Sequence, residues 1–170
     1  MKVKLVSLLL VFLVSFAGCA KGSDAQNVSM DDEFSCIANV HYNGTKIKAF
    51  ITKQSSGYYT IEMIEPGNLK GIVLQWDGGD LSVGYKGLSV SIDPALLPDT
   101  AFGSILINSF NMAAKKDGYQ ITNDGEIVKL EGISESGAFS IVLDKTTGTL
   151  ISVDVPSMNL SATFEEYTVQ

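Results

Sequence analysis

Catalysis and metal binding need polar side chains brought together, and the spacing of such residues here works against both. His41 is the single histidine, so a Ser-His-Asp or Cys-His device would have to be built on it. It falls on the polar side of a strand pattern, two residues before the turn dipeptide Asn43-Gly44, where a surface histidine is expected. Asp77-Gly78-Gly79-Asp80 lacks the twelve-residue ligand spacing and distal Glu of a calcium loop and has the composition of a hairpin turn. Asp31-Asp32-Glu33 is a run of like charge suited to a solvated linker. Glu165 and Glu166, as neighbours on a strand, are expected on opposite faces and so not to share a substrate. Cys36 lies on an apolar face between Phe34 and Ala38 and reads as a small buried hydrophobe. No catalytic residue, metal ligand or cofactor site is expected. The side chains left to do work are apolar and aromatic: Tyr59, Met63, Leu74, Trp76, Val83, Tyr85, Phe102, Leu106, Phe110, Phe139, Ile141 and Phe164. Two roles fit them, packing in a core and lining a hydrophobic cavity or its lid.

The elements that must position these residues are mostly strands. Turn dipeptides recur from Asn43-Gly44 to Thr147-Gly148, and between them apolar residues alternate with Ser, Thr, Lys, Asp and Glu. Phe34/Cys36/Ala38/Val40, Ile47/Ala49/Ile51, Tyr59/Ile61/Met63, Ile72/Leu74/Trp76, Leu81/Val83/Tyr85 and Leu88/Val90/Ile92 precede a gap. Val128/Leu130, Phe139/Ile141/Leu143, Ile151/Val153/Val155 and Leu160/Ala162/Phe164 come after it. About ten antiparallel strands, each apolar on one face, are predicted. The gap holds one helix, Thr100 to Lys116: Phe102, Ile105, Leu106, Phe110 and Ala113 recur at three and four, Asp99 or Thr100 can cap it, and Lys115 and Lys116 suit its C-terminal dipole.

Such a sheet would be about 48 Å wide, whereas a helix of this length is about 24 Å long and about 10 Å across. One helix cannot cover a flat sheet of that width. The apolar face is therefore expected to curl into a half-open barrel with the helix in the hollow or at its mouth. An open apolar cavity and a hollow filled by side chains both satisfy this pattern.

The N-terminus carries an address. Lys2 and Lys4 precede an apolar run from Leu5 to Phe16, too short for a membrane span, and the run ends in Phe16-Ala17-Gly18-Cys19. This resembles a bacterial lipobox, with small residues at the two positions before the cysteine. Residues 1–18 are then a lipoprotein signal peptide, Cys19 the acylated residue, 19–33 a flexible linker and 34–170 one domain. Two or more acyl chains such as palmitate would hold the protein on the membrane, at about 0.8 kcal/mol per buried methylene. The expected location is the extracytoplasmic face of the cell membrane, within the cell envelope. Removing Lys2 and Lys4 takes the net charge from −7 to −9, so the anchor rather than surface charge keeps the domain at an anionic bilayer. Acylation of Cys19 leaves Cys36 without a disulfide partner. Lysine supplies every basic side chain, with no arginine anywhere in the sequence; this composition points to a low-GC, Gram-positive source and gives no footprint for nucleic acid.

The layout resembles the LolA/LolB superfamily of bacterial lipoprotein carriers and their Gram-positive lipoprotein relatives, over most of Phe34 to Val169. The resemblance is carried by the strand pair from Phe34 to Thr52 and by the strand Tyr58-Tyr59-Thr60-Ile61-Glu62-Met63-Ile64-Glu65-Pro66. It continues through Leu69-Lys70-Gly71-Ile72-Val73-Leu74-Gln75-Trp76-Asp77-Gly78 and the central helix to Asp144-Lys145-Thr146-Thr147-Gly148-Thr149-Leu150-Ile151 and Phe164-Glu165-Glu166-Tyr167. It implies an unclosed antiparallel half-barrel with a helical lid over a cavity for acyl chains. LolB-like receptors are lipidated, as Cys19 suggests, whereas the soluble carriers use an arginine that this chain lacks. Two functions are expected. One is a non-enzymatic, membrane-anchored protein that binds a lipid, acyl chain or other hydrophobic ligand, with the helix as gate. The other is an interaction module that positions an envelope or cell-wall enzyme at the membrane.

Overall fold

The computed structural model describes residues 33–55, 57–77, 80–93, 101–114, 118–134 and 136–170. The signal peptide, Cys19, the linker up to Asp32, Pro94, Pro98, the capping residues Asp99 and Thr100, and Lys115 and Lys116 lie outside them.

The described residues fold as a single sheet of eleven antiparallel strands. They are β1 (Phe34–Tyr42), β2 (Thr45–Lys53), β3 (Tyr59–Glu65), β4 (Ile72–Trp76), β5 (Leu81–Tyr85), β6 (Leu88–Ile92), β7 (Tyr119–Asp124), β8 (Ile127–Ser134), β9 (Gly137–Asp144), β10 (Leu150–Val155) and β11 (Leu160–Val169). A helix, α1 (Ala101–Ala114), lies between β6 and β7, and a 3-10 turn, Pro156–Met158, between β10 and β11. The spatial order is β6-β5-β4-β3-β2-β1-β11-β10-β9-β8-β7. The first and last strands are thus partners at the centre, and two meanders run outward from them. Their far edges, β6 and β7, do not pair, so the sheet stays open. The connection between those edges carries α1 across the concave face.

Alternation explains the faces. In β1, Phe34, Cys36, Ala38, Val40 and Tyr42 are buried while the residues between them are not. The same period runs through Ile47, Ala49 and Ile51 of β2 and Tyr59, Ile61 and Met63 of β3. On the other side of the centre it holds Phe139, Ile141 and Leu143 of β9. The helix fits the hollow because it is mostly apolar: none of its described side chains is exposed, and Ser109 satisfies its buried hydroxyl by donating to the Ile105 carbonyl at 2.9 Å. A helix with so little exposed side-chain surface belongs against a core.

The architecture is the one expected, with corrections in detail. The described residues form eleven strands, not about ten. The extra one is β7, whose sequence YQITND has a single apolar alternation and is exposed over most of its length, as suits an edge strand with little to bury. Glu165 and Glu166 do not face opposite ways. The pairing of β1 with β11 shifts register there, with Glu166 at φ +52°, and this bulge leaves both carboxylates exposed. Beyond it Tyr167, rather than an even-numbered residue, turns inward and stacks on Phe34 at 5.1 Å. Ile151 is likewise the extra residue of a bulge between β10 and β9, so it is exposed while Leu150 is buried. A bulge inserts one residue and flips the parity of the rest of its strand.

Candidate functional site in the concave face

The residues singled out from sequence converge on the concave face, though not equally. Tyr59, Met63, Leu74, Phe102, Leu106, Phe110, Phe139 and Ile141 are buried between sheet and helix. Trp76, Val83 and Phe164 are partly buried against that core. Tyr85 lies on the same face but is 47% exposed.

Phe110 is the hub. Its ring meets Phe34 edge-on at 6.0 Å, stacks near Tyr59 at 6.2 Å and tilts against Phe164 at 6.0 Å. It thereby ties the helix to β1, β3 and β11 with pairs that each add about 0.5–1.5 kcal/mol beyond simple burial. At the other end of the helix Phe102 lies 6.4 Å from Tyr42. Gly103 lets the helix come close: a Cβ there would stand 3.1 Å from Ile61 Cδ1 and 3.2 Å from Leu74 Cδ1. Phe34, Tyr42 and Tyr167 complete this aromatic set. Phe34 was legible as a strand residue, and Tyr167 was hidden by the bulge.

Coverage is lopsided. The helix backbone runs nearest to β8, β9 and β10, where Val128, Leu130, Phe139, Ile141, Leu143, Val153 and Val155 are all buried. On the opposite wing Val83 faces Val90 and Tyr85 faces Leu88 across β5 and β6. Val83 is partly buried, but Val90 is 61% and Leu88 77% exposed. One side of the helix is half-buried and polar: Ser104, Asn108 and Asn111 share it at helical spacing, and Asn111 Oδ1 accepts from the Tyr59 hydroxyl of β3 at 3.1 Å. Among the described residues, Trp76 Nε1 and Ser104 Oγ are buried without a hydrogen-bond partner. Two pockets bounded by described residues lie elsewhere, one of about 210 Å³ lined by Tyr42, Asn43, Thr45, Ile47, Pro66, Asn68 and Leu69, the other an open depression around Tyr119 and Gly132.

The residues set aside for catalysis stay apart from this surface. His41 and Glu165 are exposed, and Glu165 accepts from Asn39 Nδ2 at 2.9 Å. Asp77 and Asp80 close the β4–β5 turn, the Asp80 amide donating to Asp77 Oδ1 at 3.2 Å. Among the described residues no group of three or more His, Cys, Asp or Glu stands where it could hold a metal ion. Cys36 is a free, buried thiol whose pKa burial pushes up to about 12, so it is protonated and unreactive at neutral pH. Asp144 organises the β9–β10 turn. Its Oδ1 accepts from the Thr147 amide at 2.8 Å and from the Thr147 hydroxyl and Thr146 amide at 2.9 Å, bonds that hold its carboxyl below its ordinary pKa.

The chain is similar in structure to an uncharacterized conserved protein from Thermus thermophilus, at 11% identity and a TM-score of 0.51 over 82% of this chain and 80% of that one, a likeness of fold. A LolA superfamily protein from Nitrosomonas europaea is similar at 9% identity and a TM-score of 0.44, over 86% of this chain and 90% of that one. The MucA/MucB complex of Pseudomonas aeruginosa is similar at 18% identity and a TM-score of 0.38, over 86% of this chain and 53% of that one. No protein-family model and no curated protein matches the sequence.

Proposed function

We propose that the chain is a non-enzymatic binding protein, held on the extracytoplasmic face of the cell membrane by an acylated Cys19, that takes a lipid, acyl chain or other hydrophobic ligand on its concave face. The observation that carries this reading is the apolar surface left uncovered beside the helix, where Val83, Tyr85, Leu88 and Val90 continue the lining of the core into solvent. A ligand lying there would be buried between β4–β6 and the half-buried side of α1, gaining about 25 cal/mol per Å² of apolar surface removed from water. The helix then acts as gate and wall together. Trp76, the one tryptophan, borders the seat and reports its occupancy.

A second reading has its own support. Strand β6, Leu-Ser-Val-Ser-Ile, is an open edge without charge, proline or bulge, features that natural edges commonly carry to discourage pairing. An extended segment of an envelope protein could add to it as a further strand.

Residues 20–170 contain every described element. Native mass spectrometry of that segment from a bacterial periplasm, with lipid extraction, separates the readings. A bound species of lipid mass is expected. Bare protein, together with a cross-linked partner on β6, would replace carriage by docking.

A further inference from the structure

Strand β6 is the outer edge of the uncovered wing, and its residue types read the same in both directions. Leu88-Ser89-Val90-Ser91-Ile92 is aliphatic, serine, valine, serine, aliphatic about Val90. Its neighbour β5 begins with the same three residues, Leu81-Ser82-Val83, and the two strands pair antiparallel with Leu81 opposite Ile92, Ser82 opposite Ser91 and Val83 opposite Val90. A second copy of β6 laid on the outer edge would repeat this register, with Leu88 opposite Ile92, Ser89 opposite Ser91 and Val90 opposite itself. The strand would then hold on its free side nearly what it already holds on its inner side.

The backbone is in phase for it. Lys86 and Gly87, at φ +51° and +83°, form a two-residue hairpin turn, so the flanking residues Tyr85 and Leu88 exchange both hydrogen bonds. Alternation makes Val83/Val90 and Leu81/Ile92 hydrogen-bonded pairs too, and leaves Ser89 and Ser91 with N–H and C=O groups directed away from β5. Those are the groups that a two-fold at Val90 brings together, Ser89 of each copy against Ser91 of the other. Opposed residues of antiparallel strands share a face, so Leu88 and Val90, 77% and 61% exposed, would meet apolar side chains on the concave side.

Charge agrees with the same axis. Strand β6 itself carries none, which matters because a two-fold sets the residue at its centre against its own kind. At the two ends of β6 stand opposite charges, Lys86 and Asp93, both exposed. Pairing at Val90 puts Asp93 opposite Gly87 of the second copy and so next to its Lys86, on both sides of the axis. That attraction does not depend on displacing the interaction that Asp93 makes within its own chain. The far edge differs: β7, Tyr-Gln-Ile-Thr-Asn-Asp, would set Tyr119 against Asp124 under the same operation.

We propose that β6 pairs with β6 of a second copy, antiparallel about a two-fold at Val90, joining two open wings into one continuous sheet. This rests on the reading of β6 as an open edge and names its partner. Five residues are few beside the roughly 1,200–2,000 Å² of a stable interface, and both copies are acidic, so the expected dissociation constant is on the order of 100 μM. Sedimentation equilibrium of residues 20–170, up to about 1 mM, should show a reversible monomer–dimer equilibrium. Val90→Lys and Val90→Glu should each weaken it about tenfold or more, because like charges then stand directly opposite, and an equal mixture of the two should dimerise at least as well as wild type. Thermal melts confirm that both variants fold. A monomer throughout, a dimer unchanged in the single variants, or a mixture that stays monomeric would overturn the self-pairing and leave the edge to another chain. Hydrogen exchange in the dilute monomer reads the edge itself: the Ser89 and Ser91 amides should exchange fast, and slow exchange would overturn the reading of β6 as open.

Discussion

The two wings of the sheet start from the same material and finish differently. Strands β8 to β10 and β4 to β6 both alternate apolar with polar residues, and both present the apolar set to the hollow. On the first wing the helix backbone runs close and every apolar residue facing it is buried; on the second, exposure climbs from buried Leu74 to Leu88 at 77%. One helix of fourteen residues, about 21 Å long, covers half of a sheet this wide. Alternation therefore specifies a face, while burial depends on what the chain can lay over it. One wing is core and the other is surface made of core residues. The latter is what a ligand or partner can use.

Substitutions should separate the wings by size of effect. Phe110→Ala removes the hub that joins the helix to β1, β3 and β11, and is expected to cost about 3–5 kcal/mol in urea unfolding. A loss under about 1 kcal/mol would mean that the helix is not part of the core. Leu88→Ser with Val90→Ser, on the open wing, should alter stability by about 0.5 kcal/mol or less while weakening palmitate binding. Severe destabilisation by that pair would show the wing to be covered. The smallest effect belongs to Cys36. Burial raises its pKa to about 12 from the ordinary 9.0, so the folded state favours the proton. That contribution to stability is complete below the unfolded value and is lost as pH rises through the folded one. Iodoacetamide at pH 8.5 should label it only after denaturant is added; rapid labelling of the folded protein would contradict its burial.

Much of this was legible. Period-two alternation located ten of the eleven strands, and the three-and-four spacing of Phe102, Ile105, Leu106, Phe110 and Ala113 located the helix within two residues at each end. What stayed hidden is what depends on partners. Strand β7 has one face in solvent and little to bury, so its pattern is short. The bulges at Ile151 and Glu166 are mismatches between two strands and leave no mark in either alone. Tyr85 pairs with Leu88 across β5 and β6, and its exposure depends on where the helix lies. Lys53, buried at the inward end of β2, could have been found: it extends Ile47/Ala49/Ile51 by one further period, and a charge at an inward position is the signal.

Hydrogen exchange on residues 20–170, with and without palmitate, tests the asymmetry most directly, because it reads both wings in one experiment. Binding beside the helix should slow the amides of β5 and β6 and leave those of β8, β9 and β10 unchanged. Protection confined to β8–β10, or none on any strand with palmitate bound, would contradict the account.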